Sequence, residues 1–232
     1  ESLLHIKADL EQQVLVKENA EKELTEAESR IHKQEQKLTA LAKKLYESRS
    51  STTHTISKVV ESMLSELGIS DAQLKIEGTF TSTFSARGAD DFEWMFSANK
   101  GSEPQDIKKV ASGGELSRIT LAIKSLLAQY ENLPTIIFDE IDTGVSGDVA
   151  NKMGLIMKKM SASLQVVSIT HLPQIAGRGG QHFKVYKTIK DNKTQSNIKL
   201  LNADERVIEL AEMLGGDKTS DSALAHAQSL LK

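Results

Sequence analysis

The stretch "KVASGGELSRITLAIKSLL", residues 109–127, decides how the rest of the chain is read. A serine, two glycines and a glutamate run straight into an amphipathic helical pattern. Leu116, Ile119, Ile123, Leu126 and Tyr130 form its apolar stripe. Ser112 and Glu115 stand three apart, the spacing of a capping box, in which each side chain bonds the other residue's backbone N–H. That explains a helix start. It does not explain Gly113–Gly114, because glycine near a helix start costs helix stability. Without side chains there, a ligand can reach the backbone N–H groups. Those groups, the Ser112 hydroxyl and the positive helix end together suit a phosphate. At this point a plain cap and a phosphate site both remain open.

Two further stretches bear on that choice. In "PTIIFDEIDTGVSG" (134–147) an apolar, β-rich run ends in the adjacent carboxylates Asp139 and Glu140. Carboxylates at the end of a buried strand are costly unless something cationic compensates them. Neighbouring side chains on a strand point apart, so the two can serve different partners. In phosphoryl transfer, one carboxylate holds Mg²⁺ and another positions or deprotonates the attacking water. The bland alternative is a solvated strand end leading into a turn. In "VVSITHLPQIA" (166–176) a second buried strand ends at His171. If the two strands are parallel neighbours, their ends share one sheet edge, where α/β folds bind ligands. There His171 can bond a γ-phosphate or orient water; its bland alternative is a satisfied structural histidine.

Residues 1–50 carry a different pattern. With heptad position a at Leu3, Leu10, Lys17, Leu24, Ile31, Leu38 and Leu45, six of the seven are apolar. Position d falls on Ile6, Gln13, Ala20, Ala27, Gln34, Leu41 and Ser48 and is weaker. Such a seam predicts a coiled-coil arm. After an eleven-residue step from Leu45 to Ile56, a new stripe of Ile56, Val60, Met63 and Leu67 predicts entry into a globular body over 51–232, with Gly68 ending the helix. Beyond it, strands are expected at 72–80 and 90–99, helices at 113–131 and 147–160, and buried strands at 135–140 and 164–170. A hairpin across Lys190–Thr194 and helices at 204–214 and 220–231 complete the pattern. Alternating strands and helices predict an α/β layer containing parallel strands.

Composition narrows the function classes. The 232 residues are 39% hydrophobic with a net charge of −3, so no bulk basic character points to nucleic acid. The absence of cysteine excludes disulfides and thiolate metal sites, and is compatible with a cytoplasmic setting. The six histidines lack metal-ligand spacing. No run reaches the roughly 20 apolar residues of a membrane span. No stretch has the G-x-x-x-x-G-K-[ST] spacing of a phosphate-binding P-loop. "GGDKTS" (215–220) comes nearest, but Asp217 separates Gly216 from Lys218. Residue 1 falls inside the charged helical pattern, and the chain is expected to be part of something longer.

The order of parts is more specific than any part alone: heptad arm, glycine-rich helix start, strand ending in Asp-Glu, strand ending in His. It resembles the C-terminal lobe of the ABC-type ATPase heads of SMC-like proteins, an α/β P-loop ATPase architecture with a coiled-coil arm. The resemblance implies that Ser112, Gly113, Gly114 and Glu115 are the signature motif, which contacts the γ-phosphate of ATP bound on the opposite protomer. It implies that Asp139 holds Mg²⁺ through water, that Glu140 activates the lytic water and that His171 is the switch histidine. Asp142, Gly144 and Ser146 fall in the D-loop region at the dimer interface. Ala111 departs from the family, where many members have Leu before Ser-Gly-Gly. The Walker A loop and Q-loop have no counterpart in these residues. The expected partners are therefore an N-terminal half carrying Walker A, a second head bridged by ATP, and DNA. The resemblance extends to DNA double-strand-break repair and recombination by DNA tethering, and to a nucleoid-associated protein. Two alternatives stand beside this reading: the nucleotide-binding subunit of a transporter, which the heptad arm argues against, and a non-enzymatic coiled-coil scaffold.

Overall fold

The computed structural model describes residues 2–110, 112–190, 193–216 and 220–231, the side chain of Val110 excepted. Ala111 and the Asp217–Thr219 part of the P-loop-like stretch lie outside the described residues. The chain divides into two compact units. One comprises Glu1–His54 with Ile76–Glu93, the other Thr55–Lys75 with Trp94–Lys232.

The first helix, α1, runs without a break over Ser2–Glu66. The step between the two apolar stripes does not interrupt it, because eleven residues in three turns need only about 3.67 residues per turn, close to an ordinary helix. In the first unit the apolar a positions are exposed, from Leu3 (82%) to Leu45 (39%), and form an open apolar seam. Near its base, Tyr46 donates to the Gly78 carbonyl at 3.0 Å and its ring lies by Phe80 and Phe92. Arg49 pairs with the buried carboxylate of Asp90. These contacts hold the tips of β1 (Gln73–Ser85) and β2 (Gly88–Ser97) against the arm. A short β3 (Gln105–Asp106) pairs antiparallel with β2.

In the second unit the chain turns out of α1 at Gly68, two residues past Glu66, with a φ of +85° that suits a residue without a side chain. A four-residue helix, α2 (Ile107–Val110), leads to α3 (Gly113–Tyr130). Then come β4 (Thr135–Asp139), α4 (Gly147–Met160) and β5 (Gln165–Ile169). Strands β4 and β5 are parallel and in register, Thr135 opposite Gln165 through Asp139 opposite Ile169. The expected shared sheet edge is therefore present. Phe138 is fully buried and packs with Leu67, Leu121, Met153, Met157 and Ile175, so α3, α4 and the base of α1 share one core. The opposite sheet face is open: Ile137 is 58% exposed and Ile169 is 52% exposed.

A one-turn helix, α5 (Pro173–Ala176), precedes the antiparallel hairpin of β6 (Phe183–Lys190) and β7 (Lys193–Leu200). Helices α6 (Ala203–Gly215) and α7 (Asp221–Leu230) close a smaller core around Leu210 and Ala227. Arg206 of α6 donates to the carbonyls of Gly177 and Gly179, which fixes the turn before the hairpin. Burial pushes the neighbouring His182 imidazole below its ordinary 6.5, and the charges of Arg206 and Lys184 add to this against the opposing pull of Glu209.

The fold thus favours neutral His182. As pH falls below 6.5 the unfolded chain takes up this proton first, so stability drops until the folded-state pKa is passed. Replacing His182 with Gln should flatten the acid-side decline in urea midpoint between about pH 7 and pH 5. An unchanged slope would remove His182 as its source.

Candidate functional site

The first turn of α3 is the capping box expected from the sequence. Ser112 Oγ accepts from the Glu115 N–H at 3.4 Å, and Glu115 Oε2 accepts from the Ser112 N–H at 2.8 Å. The hydroxyl and carboxylate are therefore engaged in building the helix end. No acceptor among the described residues meets the Gly113 or Gly114 N–H. Donors left over at a helix start carry the positive end of the macrodipole.

The two glycines have different reasons to be glycine. A Cβ on Gly113 would meet nothing within 4 Å. A Cβ on Gly114 would lie 2.6 Å from the Gly144 carbonyl oxygen. The sequence reading gave both residues to ligand access; the structure adds a packing reason for glycine at Gly114, while a side chain at Gly113 would meet open space. Gly144 has φ +74°, so neither partner in this backbone-to-backbone contact tolerates a side chain. Ser117 reinforces the contact: its single hydroxyl proton is shared between Gly113 O (3.0 Å) and Thr143 O (3.1 Å). Arg118 spans Gly114 O (2.9 Å) and Leu67 O (3.3 Å), joining the helix start to the end of α1. Sequence reasoning missed both residues. Their signal was only their polar character on the first turns of an apolar helix.

Asp139 and Glu140 are exposed at the end of β4, and neither carboxylate has a partner among the described residues. Glu140 has φ +47°, left-handed backbone that a long side chain adopts at a cost of roughly 1–2 kcal/mol. The turn is held by Glu140 N–H to Ile169 O (3.1 Å) and by Thr143, whose N–H and hydroxyl both donate to Glu140 O. Asp142, placed by the resemblance in the D-loop region, is 0% exposed. Its Oδ2 accepts from Thr170 Oγ1 and lies 3.9 Å from His171 Nδ1, while Oδ1 has no partner. The His171 side chain is 70% exposed. Gly144 and Ser146 are exposed, and Ser146 starts α4 without a side-chain cap bond. The structure therefore brings Asp139, Glu140, Asp142 and His171 to one sheet edge and ties the capped helix start to the same loop.

Among the described residues no group of three His, Cys, Asp or Glu side chains is arranged to hold a metal ion. No helix among the described residues is long and apolar enough to cross a membrane. The donor set fits Mg²⁺ in a limited way. That ion usually keeps several waters and takes one or two carboxylates plus substrate phosphates. Asp139 is available as one such carboxylate.

The architecture matches solved SMC ATPase heads. One, from work on ATP-driven dimerization and DNA stimulated activation of SMC ATPases, aligns with a TM-score of 0.52 at 17% identity, covering 75% of this chain and 99% of that one. The Smc head domain with a coiled coil and joint from Pyrococcus yayanosii aligns with a TM-score of 0.55 at 18% identity, over 70% of this chain and 30% of that one. The fold is thus similar to that of SMC ATPase heads, with a helical arm.

Sequence comparison is more particular. The chain is similar to DNA repair protein RecN of Haemophilus influenzae, 39% identical over 213 residues, 91% of this chain and 38% of that protein. It is 41% identical to RecN of Vibrio cholerae over 197 residues, 84% of this chain and 36% of that protein. The chain thus spans under two fifths of the length of these relatives. No family model matches it.

The glycine pair yields a contrast. Gly114→Ala should cost about 1–3 kcal/mol by overpacking against Gly144, whereas Gly113→Ala should stay within about 0.5 kcal/mol. Chemical denaturation of the two variants checks this. Equal losses would contradict the division of roles.

Proposed function

We propose that this chain is the C-terminal half of a RecN-type, SMC-like ATPase head that acts in DNA double-strand-break repair and recombination by tethering DNA. The observation that carries the reading is the unpartnered Asp139–Glu140 pair at the sheet edge bearing His171, one backbone contact away from a capped helix start with free N–H groups. In this reading Asp139 holds Mg²⁺ through water. When bound, that ion offsets charge on the phosphate oxygens. Glu140 takes the proton of the attacking water, and His171 faces the terminal phosphate. The α3 N-terminus, with Ser112, Gly113 and Gly114, receives the γ-phosphate of ATP held by a second head; Glu115 keeps that helix end formed. Gly144 and Ser146 border this junction.

The open faces support incompleteness in this chain alone. Parallel sheets are ordinarily covered on both sides, yet Ile137 and Ile169 are exposed. We infer that the N-terminal half, carrying Walker A, covers that face and supplies most of the nucleotide contacts. Its helix would lie on the Leu3–Leu45 seam. On this reading the isolated chain hydrolyses ATP poorly or not at all, and ATP bridging two heads couples nucleotide state to the arm. A cytoplasmic, nucleoid-associated location goes with DNA repair. RecN is described by that activity in the relatives named above.

In a protein completed by its N-terminal half, Glu140→Gln should slow ATP hydrolysis by roughly 10² or more while ATP-dependent dimers persist. Unchanged turnover would reject Glu140 as the base. Ser112→Arg should fill the space before the α3 N-terminus and abolish ATP-dependent dimers in sedimentation. Dimers that survive it would reject the contact in trans.

A further inference from the structure

We propose that Asp142 is a positioning residue for His171: its buried carboxylate holds the ring with Nδ1–H turned inward, so that Nε2 is the nitrogen presented at the sheet edge. This rests on the proposed role of that edge in ATP hydrolysis, but it concerns a property of the chain without nucleotide. Three observations converge. Asp142 is wholly buried, although Asp139 and Glu140 beside it are exposed. A buried carboxylate needs donors. Among the described residues its carboxylate accepts one hydrogen bond, from Thr170 Oγ1 to Oδ2, while Oδ1 has none. His171 Nδ1 lies 3.9 Å from Oδ2, beyond direct hydrogen-bond distance but near enough for the carboxylate to act on the ring.

Thr170 fixes the geometry from the other side. Its hydroxyl donates to Asp142 and accepts from the Leu172 N–H at 3.0 Å. The residues on either side of His171 are thereby pinned, and the carboxylate is aimed at the histidine turn. A buried acid bonded to Nδ1 sets the tautomer of an imidazole and the nitrogen it presents, as in the Ser-His-Asp triad. Free imidazole in a peptide has no such partner. Asp142 thus belongs to His171 rather than to the exposed contact surface of its loop.

The test is long-range ¹H–¹⁵N NMR of the ¹⁵N-histidine-labelled 232-residue chain, with His171→Gln to assign the signal among the six histidines. Spectra are taken at about pH 8.5, two units above the ordinary imidazole pKa of about 6.5. Wild-type His171 should show the Nδ1–H tautomer. Asp142→Ala should show mainly Nε2–H, with folding verified by circular dichroism. Should Asp142→Ala not fold, Thr170→Val leaves the acid in place but frees it to swing; it should give mixed tautomers, and Thr170→Ser should restore Nδ1–H. A wild-type ring in the Nε2–H form, or a tautomer unmoved by these substitutions, overturns the proposal. Either result leaves ATP hydrolysis to be judged by Glu140→Gln, so the two readings fail separately.

Discussion

Gly114 and Gly144 touch backbone to backbone, and the site depends on that contact. It places the start of α3 against the loop that leaves the acidic end of β4, with no side chain between them. Ser117 bonds both sides of the junction, and Arg118 extends it to the end of α1. A capped helix start and a carboxylate strand end are common separately. Here one close approach makes them a single rigid corner above a shared core of Leu67, Leu121, Phe138 and Met153.

That corner divides its acids by environment. Asp139 and Glu140 are exposed and have no partner among the described residues, which leaves them available to a cation or a water molecule. Asp142, three residues from Asp139, is buried and bonded to a hydroxyl. In a low-dielectric setting a charge acts strongly on the few dipoles it meets. The groups recorded beside it are the Thr170 hydroxyl and, at 3.9 Å, the His171 ring.

Much of this was legible in the sequence because strong local signals agree with the tertiary structure. The Ser112–Glu115 spacing gave the capping box, and apolar runs bounded by Pro134 and Ser163 gave β4 and β5. The 147–160 helix matches residue for residue. The roles that sequence reading missed are set by contacts distant along the chain. Nothing near Gly114 announces that Gly144 will press against it, and nothing around Asp142 distinguishes a buried acid from its exposed neighbours. The stutter after Leu45 was readable as a change of buried face. That the helix would pass through it unbroken follows from its near-ideal residue count per turn.

The backbone of Glu140 carries a lasting consequence. An acid in left-handed conformation sits where glycine, or even asparagine, would rest more comfortably. Any screen for heat tolerance that ignores chemistry will therefore find this position rewarding and will tend to erase the side chain. Sturdier versions of this lobe are best sought elsewhere, with the awkward residue locked in place.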